Sequence, residues 1–173
     1  MLPVVAMGVV IDQLVLADAD ALSVSHSDPD NARFQSWPYP LSPADALDFI
    51  GSTGEPTFEV GTGLQLAIRE HLGGPLAGDL YVLRQDSDVV ELGITLVPGR
   101  HGRGLATAAV TAMADALLAT PPITRVDAIC DVDNTRSAAL FERAGFRLRE
   151  RTTASWTRRD GTLTDELHFT KAR

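Results

Sequence analysis

Apolar residues cluster, or alternate with polar residues, along most of the chain, and this pattern predicts a series of strands. Residues 89–97 are rich in apolar and β-branched side chains, which is typical of a mostly buried strand, and Pro98 and Gly99 follow them. Further strands are predicted at residues 13–17, 64–69, 80–83 and 125–131, and a C-terminal hairpin at residues 146–156 and 164–170 around an Asp160-Gly161 turn.

Helical periodicity fills the intervals between these strands. Leu105, Ala109, Met113 and Leu117 recur at helical spacing until Pro121 ends the segment. Other helices are predicted at residues 18–25, at residues 43–51 with Ser42 as the N-cap, and from Asn134 to Gly145. This order of strands and helices predicts one α/β domain over residues 1–173 with a mixed sheet.

A glycine-bearing turn joins the strand at residues 89–97 to the helix that follows. The first turn of a helix leaves N–H groups unpaired and carries partial positive charge, so it stabilises phosphate oxygens. Gly102 and Gly104 have no Cβ to separate the backbone from an oxygen, and Arg103 and Thr107 add a guanidinium and a hydroxyl. The turn therefore predicts a cradle for the pyrophosphate of an acyl carrier such as coenzyme A.

Two other phosphate-binding motifs fit this turn less well. A P-loop needs Lys followed by Ser or Thr after its final glycine, whereas Leu105 and Ala106 follow Gly104. A dinucleotide fingerprint needs a third glycine at the position of Thr107. Neither a triphosphate site nor a dinucleotide site is predicted.

Composition and charge narrow the classes of partner. The 173 residues include 15 basic and 23 acidic side chains, and the net charge of -8 disfavours nucleic-acid and anionic-membrane binding while suiting cationic amines. A single cysteine, Cys130, forms no intramolecular disulfide, and no Cys/His cluster has zinc spacing, so no metal is expected. No apolar run is long enough to span a bilayer, and a cytoplasmic location is expected.

Three segments carry a resemblance to a known family. Residues 101–106 are similar to the acyl-CoA-binding signature of the GNAT N-acetyltransferase superfamily, Gln/Arg-x-x-Gly-x-Gly/Ala, with His101 in the first position. Residues 134–146 resemble its second signature, an Asn-led helix that ends in Gly-Phe. Residues 34–50 are similar, more loosely, to the RimJ/RimL-like branch of ribosomal-protein N-terminal acetyltransferases.

The resemblance implies a mostly antiparallel central sheet flanked by helices, with a V-shaped splay between parallel strands at residues 89–97 and 125–131. Acetyl-CoA enters this splay, and an N–H group in residues 94–96 that lacks a strand partner receives the oxyanion. Asn134 is expected either to contact the cofactor or to cap its helix. The predicted cofactor-binding residues are Ile94, Leu96, His101, Gly102, Arg103, Gly104, Leu105, Ala106, Thr107 and Asn134.

The chemistry of acetyl transfer needs no protein nucleophile, so Cys130 is interpreted as a buried strand residue. Many members of the family have a Tyr, the proposed acid, at the position of Phe141, which cannot donate a proton. Ser137, one helical turn earlier, is the candidate that the resemblance to the branch implies. The alternative is that Ser137 is a small residue that lets the cofactor come close.

A base and an acceptor pocket complete the predicted site. Glu91 is the first candidate for the general base, and the alternative is an exposed charge at the strand edge. Asp131 is the reserve, with a turn-forming role as its alternative. Four aromatic residues either line an acceptor pocket or pack in the core, and both alternatives remain open: Phe34, Trp37, Tyr39 and Trp156.

These features predict an acetyl-CoA-dependent N-acetyltransferase that acts directly on a primary amine, either a protein or peptide N-terminus or a small molecule. The alternative is a catalytically weak or silent acyl-CoA-binding module, which Phe141 and the lack of an unambiguous base both motivate. The acceptor, the acyl length and the oligomeric state, a homodimer included, are left open.

Overall fold

The structure, a computed structural model, describes residues 2–52 and 58–173. Its helices and strands follow one another along the chain as β1 (Val4–Ala6), β2 (Val9–Gln13), α1 (Ala19–His26), α2 (Pro29–Ala32), α3 (Pro43–Ser52), β3 (Gly63–Arg69), β4 (Gly78–Arg84), β5 (Val89–Leu96), α4 (Leu105–Leu118), β6 (Arg125–Asp131), α5 (Thr135–Arg143), β7 (Arg147–Thr157) and β8 (Leu163–Ala172).

The described strands form one eight-stranded sheet in the order β1-β2-β3-β4-β5-β6-β8-β7. Every neighbouring pair is antiparallel except β5 and β6, which run parallel because α4 carries the chain back across the sheet. Their shared register joins residues 89–91 to residues 125–127, although β5 continues to Leu96 and β6 to Asp131. The predicted α/β fold with a splayed parallel pair is confirmed.

Helices cover both faces of the sheet. On one face, Ala109, Met113 and Leu117 of α4 are fully buried against alternate strand residues such as Ile68. On the opposite face, α1 and α3 pack over Ala67, the neighbour of Ile68 in β3. Because successive strand side chains point to opposite faces, one strand contributes to both cores. None of the described helices has the length and apolar character that crossing a bilayer requires.

The sequence predicts the first strand with its centre at residues 13–17, and that position is wrong. β2 ends at Gln13, and a short 3-10 turn occupies Leu16–Asp18. The cause is Asp18, which is buried and accepts hydrogen bonds from both Nη atoms of Arg69, each at 2.8 Å, and from the N–H of Val15 at 2.9 Å. These hydrogen bonds to a buried carboxylate stabilise a turn at a point where the apolar pattern favours a strand.

Strand β7 forms one edge of the sheet, beside β8. Ten of its eleven residues are exposed and the remaining one, Trp156, is half-buried. Arg147, Arg149, Glu150 and Arg151 place charges along its first half.

The close approach of β4 to β5 gives a testable prediction at Gly78. A Cβ at this position would lie 2.4 Å from the carbonyl oxygen of Thr95 and 2.7 Å from a methyl carbon of Leu96. Because the first contact is with backbone, we expect Gly78→Ala to destabilise the fold by about 1–3 kcal/mol. Thermal unfolding should show a drop in Tm of roughly 2–4 °C for each kcal/mol.

The matched control is Gly93→Ala in β5, where the nearest atom to an added Cβ is the Cβ of Tyr81 at 3.6 Å, an ordinary contact. This variant should unfold close to wild type. If Gly78→Ala also unfolds at nearly the wild-type Tm, the clash at Gly78 is relieved without a cost in stability.

Candidate functional site

A cavity of about 1250 Å³ opens where β5 and β6 part. Its walls come from three stretches of the chain: the α2 segment, the end of β5 with the turn that leads into α4, and α5 with the residues before it. The residues of these stretches that line the cavity fall within positions 28–35, 94–107 and 133–143.

The end of β5 turns backbone groups toward this cavity. The N–H of Val97 donates to the carbonyl of Ala77 at 3.0 Å, on the side of β4. Since backbone groups point to alternate sides along an antiparallel strand, the N–H groups of Ile94 and Leu96 lie on the other side, toward the splay. The carbonyl of Leu96 is on that side too, where it accepts the side-chain amide of Asn31 at 2.9 Å.

The glycine turn has the backbone conformation that the sequence predicts. Gly102 and Gly104 both have φ of +76°, in the left-handed region, and Gly104 is the N-cap of α4. An added Cβ at either glycine would meet no atom within 4 Å, so the space beside the turn is open. The first residues of α4, from Leu105 to Thr107, line the cavity, and the N–H groups of a first helical turn have no intrahelical partner.

Helix α5 brings Asn134 and Ser137 to the opposite wall. The side-chain oxygen of Asn134 accepts the N–H of Ser137 at 3.2 Å, so the N-cap role is present. Ser137 is half-buried, and its hydroxyl makes no hydrogen bond with the described residues. Phe141, one turn later, is buried against Phe146 and Phe169, with ring centroids 5.7 and 5.6 Å away.

Two arginines of α5 were missed by the sequence reasoning. Arg136 and Arg143 both line the cavity, and neither has a carboxylate partner in the part of the chain that the structure describes. Their spacing of seven residues, two helical turns, is the signal that could have identified them. By contrast, Arg103 is exposed and does not line the cavity, whereas His101 does.

Glu91 lies at the closed end of the splay, where β5 and β6 are still paired. It does not line the cavity, and it accepts a hydrogen bond from the side chain of Gln85. Burial raises the pKa of Glu91, and the negative charges of Asp127 and Glu166 raise it further.

Asp131 and Cys130 end β6. Burial alone would raise the pKa of Asp131, but hydrogen bonds from Arg158 and from the N–H of Asp133 outweigh it and lower that pKa. Asp131 is thus a paired anion that shapes the turn before α5. Burial raises the pKa of the Cys130 thiol to about 12, so this residue stays unreactive.

The predicted aromatic residues have different surroundings. Phe34 lines the cavity, with the guanidinium groups of Arg33 and Arg158 at 5.0 and 5.5 Å from its ring. Trp37 stacks on His26 at 4.0 Å, and Tyr39 is exposed beside Arg159.

Arg159 also donates to the backbone carbonyl of Trp37 at 2.7 Å, which ties the hairpin of β7 and β8 to this loop. Trp37, Tyr39 and Trp156 lie outside the cavity lining. In the described residues, no three His, Cys, Asp or Glu side chains are grouped so that they could hold a metal ion.

Solved structures share this architecture. An acetyltransferase of the GNAT family from Bacillus anthracis is 16% identical, with 99% of this chain and 98% of that one aligned at a TM-score of 0.85. The microcin C7 self immunity acetyltransferase MccE, in complex with acetyl-CoA and AMP, is 19% identical over 97% and 94% of the two chains, with a TM-score of 0.81.

A third neighbour comes from the branch that the sequence resembles. The ribosomal alpha-N-protein acetyltransferase RimL, in complex with coenzyme A, is 17% identical over 98% and 96% of the two chains, with a TM-score of 0.80. None of the curated proteins matches the chain in sequence. The family model of the acetyltransferase (GNAT) domain matches residues 9–147, well over half of the sequence. The chain belongs to the GNAT acetyltransferase family.

Proposed function

We propose that this protein is an N-acetyltransferase that moves the acetyl group of acetyl-CoA directly to a primary amine. One observation carries the proposal: the N–H groups of Ile94 and Leu96 and the first turn of α4 face the same cavity. The two strand N–H groups can hold a thioester oxygen, and the first turn of α4 can hold a pyrophosphate. The neighbours MccE and RimL hold acetyl-CoA and coenzyme A, which supports the same cosubstrate here.

The cavity matches the charge of this cosubstrate. Gly102 and Gly104 leave space beside the helix N-terminus, and His101 adds a ring nitrogen on the same wall. Arg136 and Arg143 are cations without a carboxylate partner among the described residues, so phosphate oxygens would complete their pairing. These cations lie on the α5 wall, whereas Asp28 and Asp30 line the α2 wall, so the α5 side of the cavity suits the anionic part of the ligand.

The chain's own groups can assist each step of the transfer. As the amine nitrogen bonds to the thioester carbon, the N–H groups of Ile94 and Leu96 stabilise the negative charge on the oxygen. Ser137 then gives its proton to the departing sulfur as the C–S bond breaks, and a proton from solvent restores the hydroxyl. Glu91 is the proposed base; since it lies outside the cavity lining, the amine proton would have to reach it through solvent.

Two acceptors suit this proposal, a protein or peptide N-terminus and a small-molecule amine. The likeness to RimL, an alpha-N-protein acetyltransferase, favours the first of them. The excess of acidic residues speeds the encounter with any cationic amine.

The cofactor turn is tested by Gly104→Glu. A carboxylate here faces the proposed pyrophosphate, so the affinity for acetyl-CoA measured by calorimetry should fall by roughly 100-fold or more. Gly161→Glu is the control, because Gly161 also has a left-handed φ, +85°, and open space around it, but lies in the β7–β8 turn. The control should bind acetyl-CoA like wild type, and unchanged affinity in a folded Gly104→Glu variant would refute the proposed pyrophosphate site.

The proposed acid is tested by Ser137→Ala. Without the hydroxyl, turnover should fall by about 10²-fold while the affinity for acetyl-CoA stays nearly intact. Ser87→Ala removes an exposed hydroxyl from the β4–β5 turn and serves as the control. If the turnover of Ser137→Ala equals that of wild type, Ser137 is not the acid and is only a small residue that lets the cofactor come close.

Binding of acetyl-CoA by wild type without acetylation of any amine in a broad panel would instead identify an acyl-CoA-binding module.

The proposed base is tested by the rate as a function of pH. A base must be ionised to accept a proton, so turnover should fall as the pH drops through the pKa of Glu91, which lies above the ordinary glutamate value. Asp127→Asn removes a negative neighbour of Glu91 and should move this acid limb to lower pH. Glu91→Gln should lower turnover and leave an acid limb that follows the acceptor amine alone, and a wild-type profile with wild-type turnover in that variant would exclude Glu91.

A further inference from the structure

The α2 segment places one polar side chain, Asn31, at the edge of the splay. Its Nδ2 donates to the carbonyl of Leu96 at 2.9 Å and to the carbonyl of Ser25 at 3.0 Å. Carbonyl oxygens only accept hydrogen bonds, so these two contacts decide which end of the amide is nitrogen. The other end, Oδ1, makes no hydrogen bond with the described residues, although Asn31 lines the cavity.

The backbone beneath this amide is also held in place. The N–H of Asn31 donates to the carboxylate of Asp28 at 3.0 Å, which caps α2. At the end of α1, His26 is buried and contacts the carboxylate of Asp79 in β4 at 3.2 Å. The segment that carries Asn31 is therefore anchored to the sheet, and its free oxygen has a defined position.

Asn31 lies next to the reacting centre of the proposed function. It touches the carbonyl of Leu96, and the N–H of the same residue is a proposed donor to the thioester oxygen. An amide Oδ1 is a neutral acceptor of hydrogen bonds, suited to an N–H donor. Phe34, three residues further on, lines the cavity and presents an apolar ring.

We propose that Asn31 binds the acceptor, with Oδ1 receiving a hydrogen bond from the N–H of the attacking primary amine while the adjoining carbon chain packs on Phe34. This inference rests on the proposed function and deepens it, since it names the residue that presents the nucleophile. The amide is uncharged, so it stabilises the ammonium form less than a carboxylate would, and the neutral amine has the lone pair that attacks the thioester. One N–H bonds to Asn31, and the lone pair remains free to form the C–N bond.

The first test is Asn31→Ala, assayed by the release of coenzyme A from acetyl-CoA with the tripeptide Ala-Gly-Gly and with butylamine. We expect kcat/KM for each amine to fall by about tenfold or more, because one hydrogen bond to the nucleophile is lost. The dissociation constant of acetyl-CoA should stay within about twofold of wild type, since the thioester donors belong to the backbone.

Ser25→Ala is the matched control. The hydroxyl of Ser25 makes only the longer contacts of this cluster, 3.4 Å to the carbonyl of Leu96 and 3.5 Å to Nδ2 of Asn31. Its removal leaves both carbonyl contacts of Asn31 in place, so amine kinetics should stay within about twofold of wild type.

A second variant, Asn31→Asp, adds a charge beside the acceptor but also loses the Nδ2 hydrogen bonds to the carbonyls of Ser25 and Leu96, so its Tm is measured beside its kinetics. A carboxylate at this position stabilises the ammonium form of the acceptor, so the apparent pKa of the bound amine should rise and the rate should reach its plateau at higher pH. The other charged or titratable side chains that line the cavity are the same in both proteins, namely Asp28, Asp30, Arg33, His101, Asp133, Arg136 and Arg143. A residue that only holds α2 in place would leave this part of the pH profile unmoved.

The outcomes separate the two levels of the proposal. If wild type binds acetyl-CoA but releases no coenzyme A with these two amines or with any other member of a broad amine panel, both the proposed function and this inference are overturned. If wild type is active and Asn31→Ala retains its amine kinetics, the inference alone is wrong. A parallel loss of acetyl-CoA affinity and of Tm in Asn31→Ala would also overturn it, because the role would then be structural.

Discussion

The separation of β5 from β6 is the constraint on which the rest of the structure depends. The two strands share register at residues 89–91 and 125–127 and then continue without it, so the backbone groups beyond that point need other partners. The side-chain amide of Asn31 satisfies the carbonyl of Leu96. The N–H groups of Ile94 and Leu96 still face the gap. The site is thus a consequence of hydrogen bonds that the sheet itself does not make.

The distribution of charge reconciles an acidic chain with an anionic cosubstrate. The net charge is -8, yet the carboxylate of Asp131, the last residue of β6, is paired with Arg158. Arg136 and Arg143 lack such partners among the described residues and line the cavity. Asp28 and Asp30 line the α2 wall, so the positive charge is confined to the α5 wall, where the two arginines can meet an anionic group.

Local patterns were enough to predict most of the elements. The predicted strand at residues 125–131 coincides with β6, and the apolar spacing of the segment after Gly104 gave α4. The glycine turn was readable because a left-handed φ and a helix start each demand particular residues within a short stretch. These predictions succeeded because their causes lie within about ten residues of each other.

Features that depend on contacts between residues far apart in the sequence could not be predicted from local patterns. The predicted strand at residues 13–17 fails because Asp18 pairs with Arg69, 51 residues further on. Trp37 lies outside the cavity because its ring stacks on His26 and Arg159 of the far hairpin holds its carbonyl. Asn31 carries no sequence signature at all, since its importance comes from meeting the carbonyl of Leu96, 65 residues away.

The composition of the edge strand β7 has a consequence for how copies of this protein behave when they meet. An edge strand offers a row of unsatisfied backbone groups to which another chain could add. Here that rim carries Arg147, Arg149 and Arg151, and the last two are paired with carboxylates, Arg149 with Glu150 and Arg151 with Asp165. Addition of a strand from a second copy would desolvate these charged side chains at a cost in free energy, so the edge resists uncontrolled strand addition.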